Sequence, residues 1–253
     1  MKVNQETGTI IRAGVPSILN PYDIFALEAA AYIKDMISET KIVVVTMGPQ
    51  SAVDILRECL AIASDQAYLV SDAKFGGSDT LATAYILSSA VKEIERREGK
   101  FDVIFCGKQA IDGETAQVGP ELAELLNYSL VSGAMDVVQA EEKYIKFLQE
   151  EEDVDRLVEV ALPCLCTLSK WNKEIHPATI RNLLSAQNKK VKVLGLNDLK
   201  GIDMKRIGLK GSHTKVTKIF IPVKETHGVM IQEGSSQEKI RKLIKMLDDA
   251  RLI

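Results

Sequence analysis

The chain has 253 residues, a formal net charge of −3 at pH 7 and a sequence pI of about 5.8. The acidic balance and the small aromatic fraction (5%) argue against nucleic acid as a partner, because phosphates need a basic surface and bases need stacking rings. With 46% hydrophobic residues the chain can bury a substantial core, yet no apolar run reaches the roughly 18 residues that a membrane span needs.

The cysteines and the first residues bear on the compartment. The opening stretch, MKVNQETGTI, lacks the apolar core of a signal peptide. The four cysteines include no CxxC pair and the three histidines are far apart, so zinc and iron–sulfur sites lack their usual ligand spacing. Cys164 and Cys166 fall on one face of a predicted strand. We therefore expect a cytoplasmic protein with reduced, packed thiols and no metal site.

In the first 135 residues, short apolar runs alternate with helical patterns. Asn20 and Pro21 predict the N-terminus of a helix that ends near residue 37. The runs KIVVVTM, AYLV and FDVIFC predict buried strands, each followed by a helix, and these helices end near residues 63, 99 and 126. Such alternation predicts parallel strands with crossover helices. The loops after Thr46, Val70 and Cys106 should then meet at one sheet edge, where ligands of this fold class bind.

Beyond residue 135 the pattern changes. Three extended stretches separated by acidic turns predict antiparallel hairpins added to the sheet. The glycine-containing stretch 197–227 has little periodicity and predicts an extended arm. Ser235 or Ser236 can cap a final amphipathic helix, which docks either on its own domain or on a partner chain. Its apolar stripe consists of Ile240, Leu243, Ile244 and Leu247.

The most polar strand exit is CGKQAIDGETAQVGPELAEL, residues 106–125. Gly107 lets the backbone approach a ligand closely, and exposed N–H groups of such a loop suit phosphate oxygens. Gln109 and Gln117 can donate and accept hydrogen bonds to ribose or a ring edge, and Thr115 can bind phosphate or cap the next helix. From these residues alone the stretch is a candidate nucleotide loop, with an ordinary capped turn as the alternative.

Two other stretches accompany this loop. In GVPSILNPYDIFALEAA, residues 14–30, capping explains Asn20 and Pro21 but not the apolar, glycine-led approach before them. In GGSDTLATA, residues 76–84, Ser78 and Asp79 can cap a helix. No GxSxG, HExxH or paired-carboxylate pattern stands out, so no catalytic residue is predicted. A bound cofactor with its own chemistry would explain that absence.

Together these stretches resemble the β (small) subunit of electron transfer flavoproteins, over essentially the whole chain and most closely over residues 8–135. The resemblance implies an α/β fold, a parallel-sheet nucleotide-binding domain of the adenine nucleotide α-hydrolase-like, Rossmann-like kind with added antiparallel strands. It implies that this domain covers residues 1–196. An arm and a C-terminal helix, residues 197–253, would dock on the α subunit of a heterodimer.

The resemblance also assigns residues to a nucleotide. The cofactor-binding residues that it implies are Asn20, Pro21, Tyr22, Asp23, Met47, Asp79, Thr80, Gly107, Lys108, Gln109, Ala110, Ile111, Asp112, Gly113, Glu114, Thr115, Ala116, Gln117 and Val118. In one branch of the family the site holds a structural AMP, and in the electron-bifurcating branch it holds FAD, with NAD(H) bound beside it.

The stretch TGTIIRAGVPSILNPYD and the GGSDT loop resemble the bifurcating branch. That branch implies an NADH side at Gly14, Val15 and Ser17. It also implies hydride transfer from NADH to the FAD, with one electron passing to ferredoxin or flavodoxin and the other, through the α-subunit FAD, to a flavin-dependent dehydrogenase. The alternatives are the conventional carrier with AMP and a non-redox adenine-nucleotide-binding module. The latter is disfavoured because no SGGxDS loop is present.

The chain departs from the family pattern in two places. The family opens with a strand and a KQVPD-like loop, and Met1 follows that point, so we expect that the chain as given starts late. The family's partner-recognition loop corresponds to HPATIRNLLSAQNKK, which differs from the usual sequence. Ile180, Leu183 and Leu184 are its candidate docking residues, with a core-facing half-turn as the alternative. The altered loop leaves open an acyl-CoA dehydrogenase or a 2-hydroxy-acid (lactate-type) dehydrogenase as the partner.

Overall fold

The computed structural model describes residues 18–214, 216–217 and 228–252. The helices are α1 (Pro21–Met36), α2 (Val53–Ile62), α3 (Thr80–Glu98), α4 (Val118–Leu126), α5 (Ile180–Asn188), α6 (Gly208–Gly211) and α7 (Ser236–Asp249). The strands are β1 (Val43–Met47), β2 (Gln66–Val70), β3 (Val103–Gly107), β4 (Ser129–Ala140), β5 (Tyr144–Glu150), β6 (Asp155–Ala161), β7 (Cys164–Leu168) and β8 (Lys192–Leu194). No helix in these ranges is both long and apolar enough to cross a membrane.

The strands form two sheets. A three-stranded parallel sheet has the order β1-β2-β8, and a five-stranded mixed sheet has the order β3-β7-β4-β5-β6. In the second sheet β7 runs parallel to both β3 and β4, whereas β5 and β6 add antiparallel hairpins. The predicted α/β class, with parallel strands and added antiparallel strands, is therefore confirmed. The predicted single parallel sheet is divided in two among the described residues.

Helices cover both faces of the parallel strands, because successive side chains of a strand point to opposite faces. In β2, Tyr68 and Val70 pack in the cluster that contains Ile86 of α3, and Leu69 packs in the opposite cluster with Leu56 of α2. Such burial on both faces explains why these strands read as continuous apolar runs.

The same alternation organises β7. Cys164 and Cys166 pack in the cluster that contains Ala29 of α1, and Leu165 packs on the other face with Leu122 of α4. The cysteines are free thiols, and burial raises the pKa of Cys164 to about 12. The predicted packing of the CLC thiols on one strand face is thus confirmed.

Helix α1 contributes to the packing of both sheets. Its residues Ala26, Ala29 and Ile33 lie in the core cluster of the five-stranded sheet, whereas Leu27 packs in a cluster with Ile42 beside β1. The N-terminus of α1 is thereby held at the carboxyl end of β3, where the candidate nucleotide loop begins.

The chain divides into a larger unit within residues 13–216 and a second unit that includes residues 217–253. The domain boundary expected at 196/197 stays a prediction, although Leu199 and Ile207 are buried in the core cluster around α3. Strand β8 was not predicted, because three residues are too few to show a period. In the second unit, Ser235 caps α7 as expected and forms a capping box with Glu238.

Candidate functional site

The first turn of α1 is hydrogen-bonded to the polar exit of β3. Asn20 Nδ2 donates to the carbonyl oxygen of Gln109 at 2.9 Å and to Asp23 Oδ2 at 2.9 Å. The main-chain N–H of Gly107 donates to Asp23 Oδ1 at 2.7 Å. Two hydrogen bonds, Asn20 to Gln109 and Gly107 to Asp23, thus join two of the predicted stretches across 89 and 84 positions of the sequence.

Gly107 is a glycine because α1 leaves no room for a side chain. A Cβ atom at this position would lie 2.6 Å from Tyr22 Cβ and 2.8 Å from the main-chain nitrogen of Asp23. From the sequence, this close approach was predicted to be made to a ligand. The structure corrects that reason, since the first turn of α1 occupies the space.

The loop that follows is exposed and sharply turned. Its main chain is anchored where Lys108 N donates to the carbonyl oxygen of Leu168 at 2.8 Å, on the neighbouring strand β7. Glu114 and Ala116 adopt left-handed backbone conformations, with φ of 51° and 54°. Non-glycine residues rarely adopt this conformation. The loop is therefore a sharp turn whose start is anchored to β7.

The N-terminus of α3 contacts the far end of this loop. Thr80 Oγ1 lies 3.3 Å from Gln117 Oε1 and 3.1 Å from Glu121 Oε1. The loop after β2 and the loop after β3 therefore adjoin, as expected, although their strands belong to different sheets. Asp79 accepts a hydrogen bond from Ala82 N at 3.0 Å, which confirms its predicted capping of α3.

Two buried acceptor oxygens at this edge have no hydrogen-bond partner among the described residues. They are Asn20 Oδ1 and Glu121 Oε2. Buried polar atoms of native proteins are nearly always paired, so these oxygens fit the donors of a ligand, such as ribose hydroxyls or the amino group of adenine. Burial also raises the pKa of Glu121, which Thr80 partly offsets by its hydrogen bond. The residues present thus fit an adenine nucleotide.

Asn20 is the N-cap residue of α1 as predicted, whereas the capping alternative for Thr115 is wrong. Asn20 occupies the N-cap position of α1, but its side chain makes no capping hydrogen bond, because it is turned to Gln109. Thr115 does not cap α4, since Gln117 is the N-cap residue there and makes no side-chain cap. The Asn20 amide nitrogen is therefore used within the chain, and only its Oδ1 has no partner among the described residues.

The other predicted site residues are placed as follows. Met47 is partly buried and packs against the cluster around α3. Gly14, Val15 and Ser17, predicted for the NADH side, lie outside the described residues. Glu121 was missed by the sequence argument, because a glutamate in the first turn of a helix is ordinary and only its burial distinguishes it.

The candidate docking residues lie on α5 and face outward. Ile180, Leu183 and Leu184 are 78%, 45% and 60% exposed, whereas Ala186 is buried against the α2 side of the three-stranded sheet. These values contradict the alternative of a core-facing half-turn. The helix packs through a small residue and leaves three large aliphatic side chains exposed to solvent.

The segment before α5 is tied to α1 by a buried carboxylate. Glu28 is fully buried. Its Oε1 accepts a hydrogen bond from His176 N at 3.0 Å, and its Oε2 lies 2.7 Å from His176 Nδ1. The hydrogen bond to Glu28 raises the pKa of His176, with further contributions from Asp35 and Glu174. The helix that carries Asn20 and Asp23 therefore also fixes the segment that leads into α5.

Comparison with known proteins places these features in context. Residues 7–199 match the model of the electron transfer flavoprotein domain. The chain is 42% identical over 241 residues to the electron transfer flavoprotein subunit beta of Megasphaera elsdenii, which covers 94% of this chain and 88% of that protein. It is 38% identical over 253 residues to the caffeyl-CoA reductase-Etf complex subunit CarD of Acetobacterium woodii (100% and 94% covered). It is 37% identical over 251 residues to the acryloyl-CoA reductase electron transfer subunit gamma of Anaerotignum propionicum (97% and 92% covered).

Proposed function

The chain belongs to the electron transfer flavoprotein family, as a β subunit, and from this premise we propose that it is the nucleotide-binding subunit of an electron-bifurcating heterodimer. The proposed cofactor is FAD, bound at the edge formed by α1, the loop after β3 and the N-terminus of α3. When bound there, FAD would accept a hydride from NADH and release the electrons singly, one to ferredoxin or flavodoxin and one to the FAD of the α subunit.

One observation carries the nucleotide assignment. Asn20 and Asp23 at the start of α1 are hydrogen-bonded to Gln109 and Gly107, beside two buried acceptor oxygens that lack partners among the described residues. In the proposed complex, the Asn20 and Glu121 oxygens accept hydrogen bonds from the adenosine part of the nucleotide. The exposed loop of residues 108–117 supplies main-chain N–H groups, and Lys108 a positive charge, to the phosphates.

The proposed partner at α5 is a flavin-dependent dehydrogenase. The outward-facing Ile180, Leu183 and Leu184 support an apolar docking contact. Two relatives are named as subunits of caffeyl-CoA and acryloyl-CoA reductase systems, which favours an acyl-CoA substrate over a 2-hydroxy acid such as lactate. The proposed setting is a cytoplasmic complex.

The nucleotide extracted from the purified complex tests the proposal. The chain is co-expressed with its α subunit, the heterodimer is denatured, and the released nucleotides are quantified by chromatography. Two FAD per heterodimer and bleaching of the flavin by NADH without oxygen are expected. One FAD with one AMP would overturn bifurcation and leave a conventional electron carrier. A complex without flavin absorbance would contradict a redox role altogether.

A variant assigns the second FAD to this chain. Asn20→Leu removes the hydrogen bond to Gln109 and the free acceptor oxygen, so the heterodimer should retain only the FAD of the α subunit. Gly48→Ala serves as the control, because a Cβ there would meet only Ala52 Cβ at an ordinary 3.5 Å. Two FAD retained by Asn20→Leu would place the nucleotide elsewhere.

The docking surface has its own test. Leu183→Asp combined with Leu184→Asp should raise the KM for the partner dehydrogenase at least tenfold while NADH still reduces the flavin. Val154→Asp is the matched control, since Val154 is 59% exposed in the turn between β5 and β6. Equal losses in the control and the double variant, or loss of NADH oxidation as well, would contradict docking at α5.

A further inference from the structure

The loop that starts α3 is held by the segment of residues 207–214, late in the larger unit. The main-chain N–H of Asp79 donates to Ser212 Oγ at 2.8 Å, and Thr214 donates to Asp79 Oδ2 from its main-chain nitrogen at 2.9 Å and from its hydroxyl at 3.1 Å. The other carboxylate oxygen of Asp79 accepts from Ala82 N. Both oxygens of Asp79 are therefore engaged within the chain.

Two glycines make the close approach of this segment possible. Gly208 has φ of +60°, and a Cβ there would lie 2.3 Å from the carbonyl oxygen of Lys74. Gly77 has φ of +76°, and its Cβ would lie 3.2 Å from Leu209 Cβ. Gly208 N also donates to Ser78 Oγ at 3.1 Å. The GGSD loop and residues 208–212 thus pack closely backbone to backbone, in a contact that only glycine allows at positions 77 and 208.

The contact leads directly to the nucleotide edge. Asp79 is the N-cap of α3, and the next residue, Thr80, places its hydroxyl against Gln117 and Glu121. A shift of Asp79 would move Thr80 with it, because the two share a peptide unit. Burial by itself would raise the pKa of Asp79, but the hydrogen bonds from Ala82 and Thr214 outweigh it and lower the pKa, so the carboxylate stays charged and holds its donors.

We propose that Ser212 and Thr214 are positioning residues for the nucleotide: they hold Asp79, and through it Thr80, in the place where Gln117 and Glu121 meet the ligand. This inference rests on the proposed function only in requiring a nucleotide at this edge. It assigns Asp79 a positioning role, whereas its predicted direct contact with the cofactor stays a prediction.

The test is the rate at which nucleotide leaves the intact heterodimer. Ser212→Ala combined with Thr214→Val removes both side-chain hydroxyls and keeps the main-chain donor of Thr214. We expect dissociation of the nucleotide of this chain to become at least tenfold faster, while the FAD of the α subunit serves as the internal reference. The single variant Thr214→Ser keeps a hydroxyl at position 214 and leaves Ser212 unchanged. It should release nucleotide at the wild-type rate.

A general loss of stability is distinguished by a variant at the other end of the same helix. Glu98→Gln disturbs the C-terminal end of α3, where Glu98 pairs with Lys192 at 2.6 Å, and α3 is 19 residues long. We expect it to lower the melting temperature without faster nucleotide release. Release as fast from Glu98→Gln as from the double variant, or wild-type release from the double variant, would overturn the inference.

These outcomes separate the inference from the proposed function. If the nucleotide released is AMP, bifurcation fails but the effect of the double variant is still measured on AMP. If two FAD are present and the double variant holds both as tightly as the wild type, only the positioning role fails. If this chain holds no nucleotide, both fail.

Discussion

Gly107→Ala is the sharpest test of how the nucleotide edge is built. The added Cβ would lie 2.6 Å from Tyr22 Cβ, 2.7 Å from Tyr22 C and 2.8 Å from Asp23 N, so the first turn of α1 must move. Forcing a methyl group into packed structure costs roughly 1–3 kcal/mol. The movement also weakens the 2.7 Å hydrogen bond from Gly107 N to the Asp23 carboxylate, and such charged hydrogen bonds contribute about 1.5–3 kcal/mol. Together they predict a loss of about 4 kcal/mol in the free energy of unfolding.

The assay is thermal unfolding of the purified heterodimer, followed by circular dichroism and by release of flavin. For a chain of this length a loss of that size lowers the melting temperature by roughly 8–16 °C, at about 2–4 °C per kcal/mol. Gly48→Ala is the matched control, because Gly48 also follows a parallel strand but has only an ordinary 3.5 Å neighbour for a Cβ. If Gly107→Ala and Gly48→Ala melt within about 2 °C of each other, the close packing of α1 on Gly107 is refuted.

Three further predictions concern titratable groups. The hydrogen bond from Lys192, with others from Lys41 and Tyr68, lowers the pKa of Glu98 from 4.5 to about 2, so its stabilisation is present above pH 4.5 and lost as the pH falls toward 2. Glu98→Gln should have a lower free energy of unfolding than the wild type at neutral pH. Measured by urea unfolding, this free energy should fall less than that of the wild type between pH 4.5 and 2, and an equal fall in both proteins would contradict the prediction. The hydrogen bond to Glu28 raises the pKa of His176 above 6.5. The contribution of this pair to the free energy of unfolding is therefore full below pH 6.5 and is lost as the pH rises through the folded pKa. His176→Asn should abolish that decline in the urea midpoint. Burial raises the pKa of Cys164 to about 12, and Cys164 is fully buried, so it should resist thiol labelling at pH 8 in the native protein and react only in urea; rapid native labelling of Cys164 would refute its burial.

The elements with a strong hydrophobic period were predictable from the sequence. The strands β1, β2 and β3 and the helices that follow them were expected within a few residues, because apolar runs and stripes depend only on neighbouring positions. The hairpins of β4 to β6 were predictable for the same reason. Strand β8 was not, because its three residues are recruited by pairing with β2 and carry no period of their own.

For the site, the sequence determined which stretches matter: the Asn-Pro helix start, the GGSD loop and the polar exit of β3 are visible as turn and cap residues that a plain α/β unit does not need. Only the tertiary structure decided what each residue does. In the folded chain, the Asn20 side chain bonds to Gln109 and does not cap the helix, and the first turn of α1 fills the space above Gly107. Asp79 is hydrogen-bonded to Ser212 and Thr214. The physical reason is range. Propensity and periodicity act between residues a few positions apart, whereas the hydrogen bonds that join the separate stretches of this site span 37 to 135 positions and form only after the core has packed.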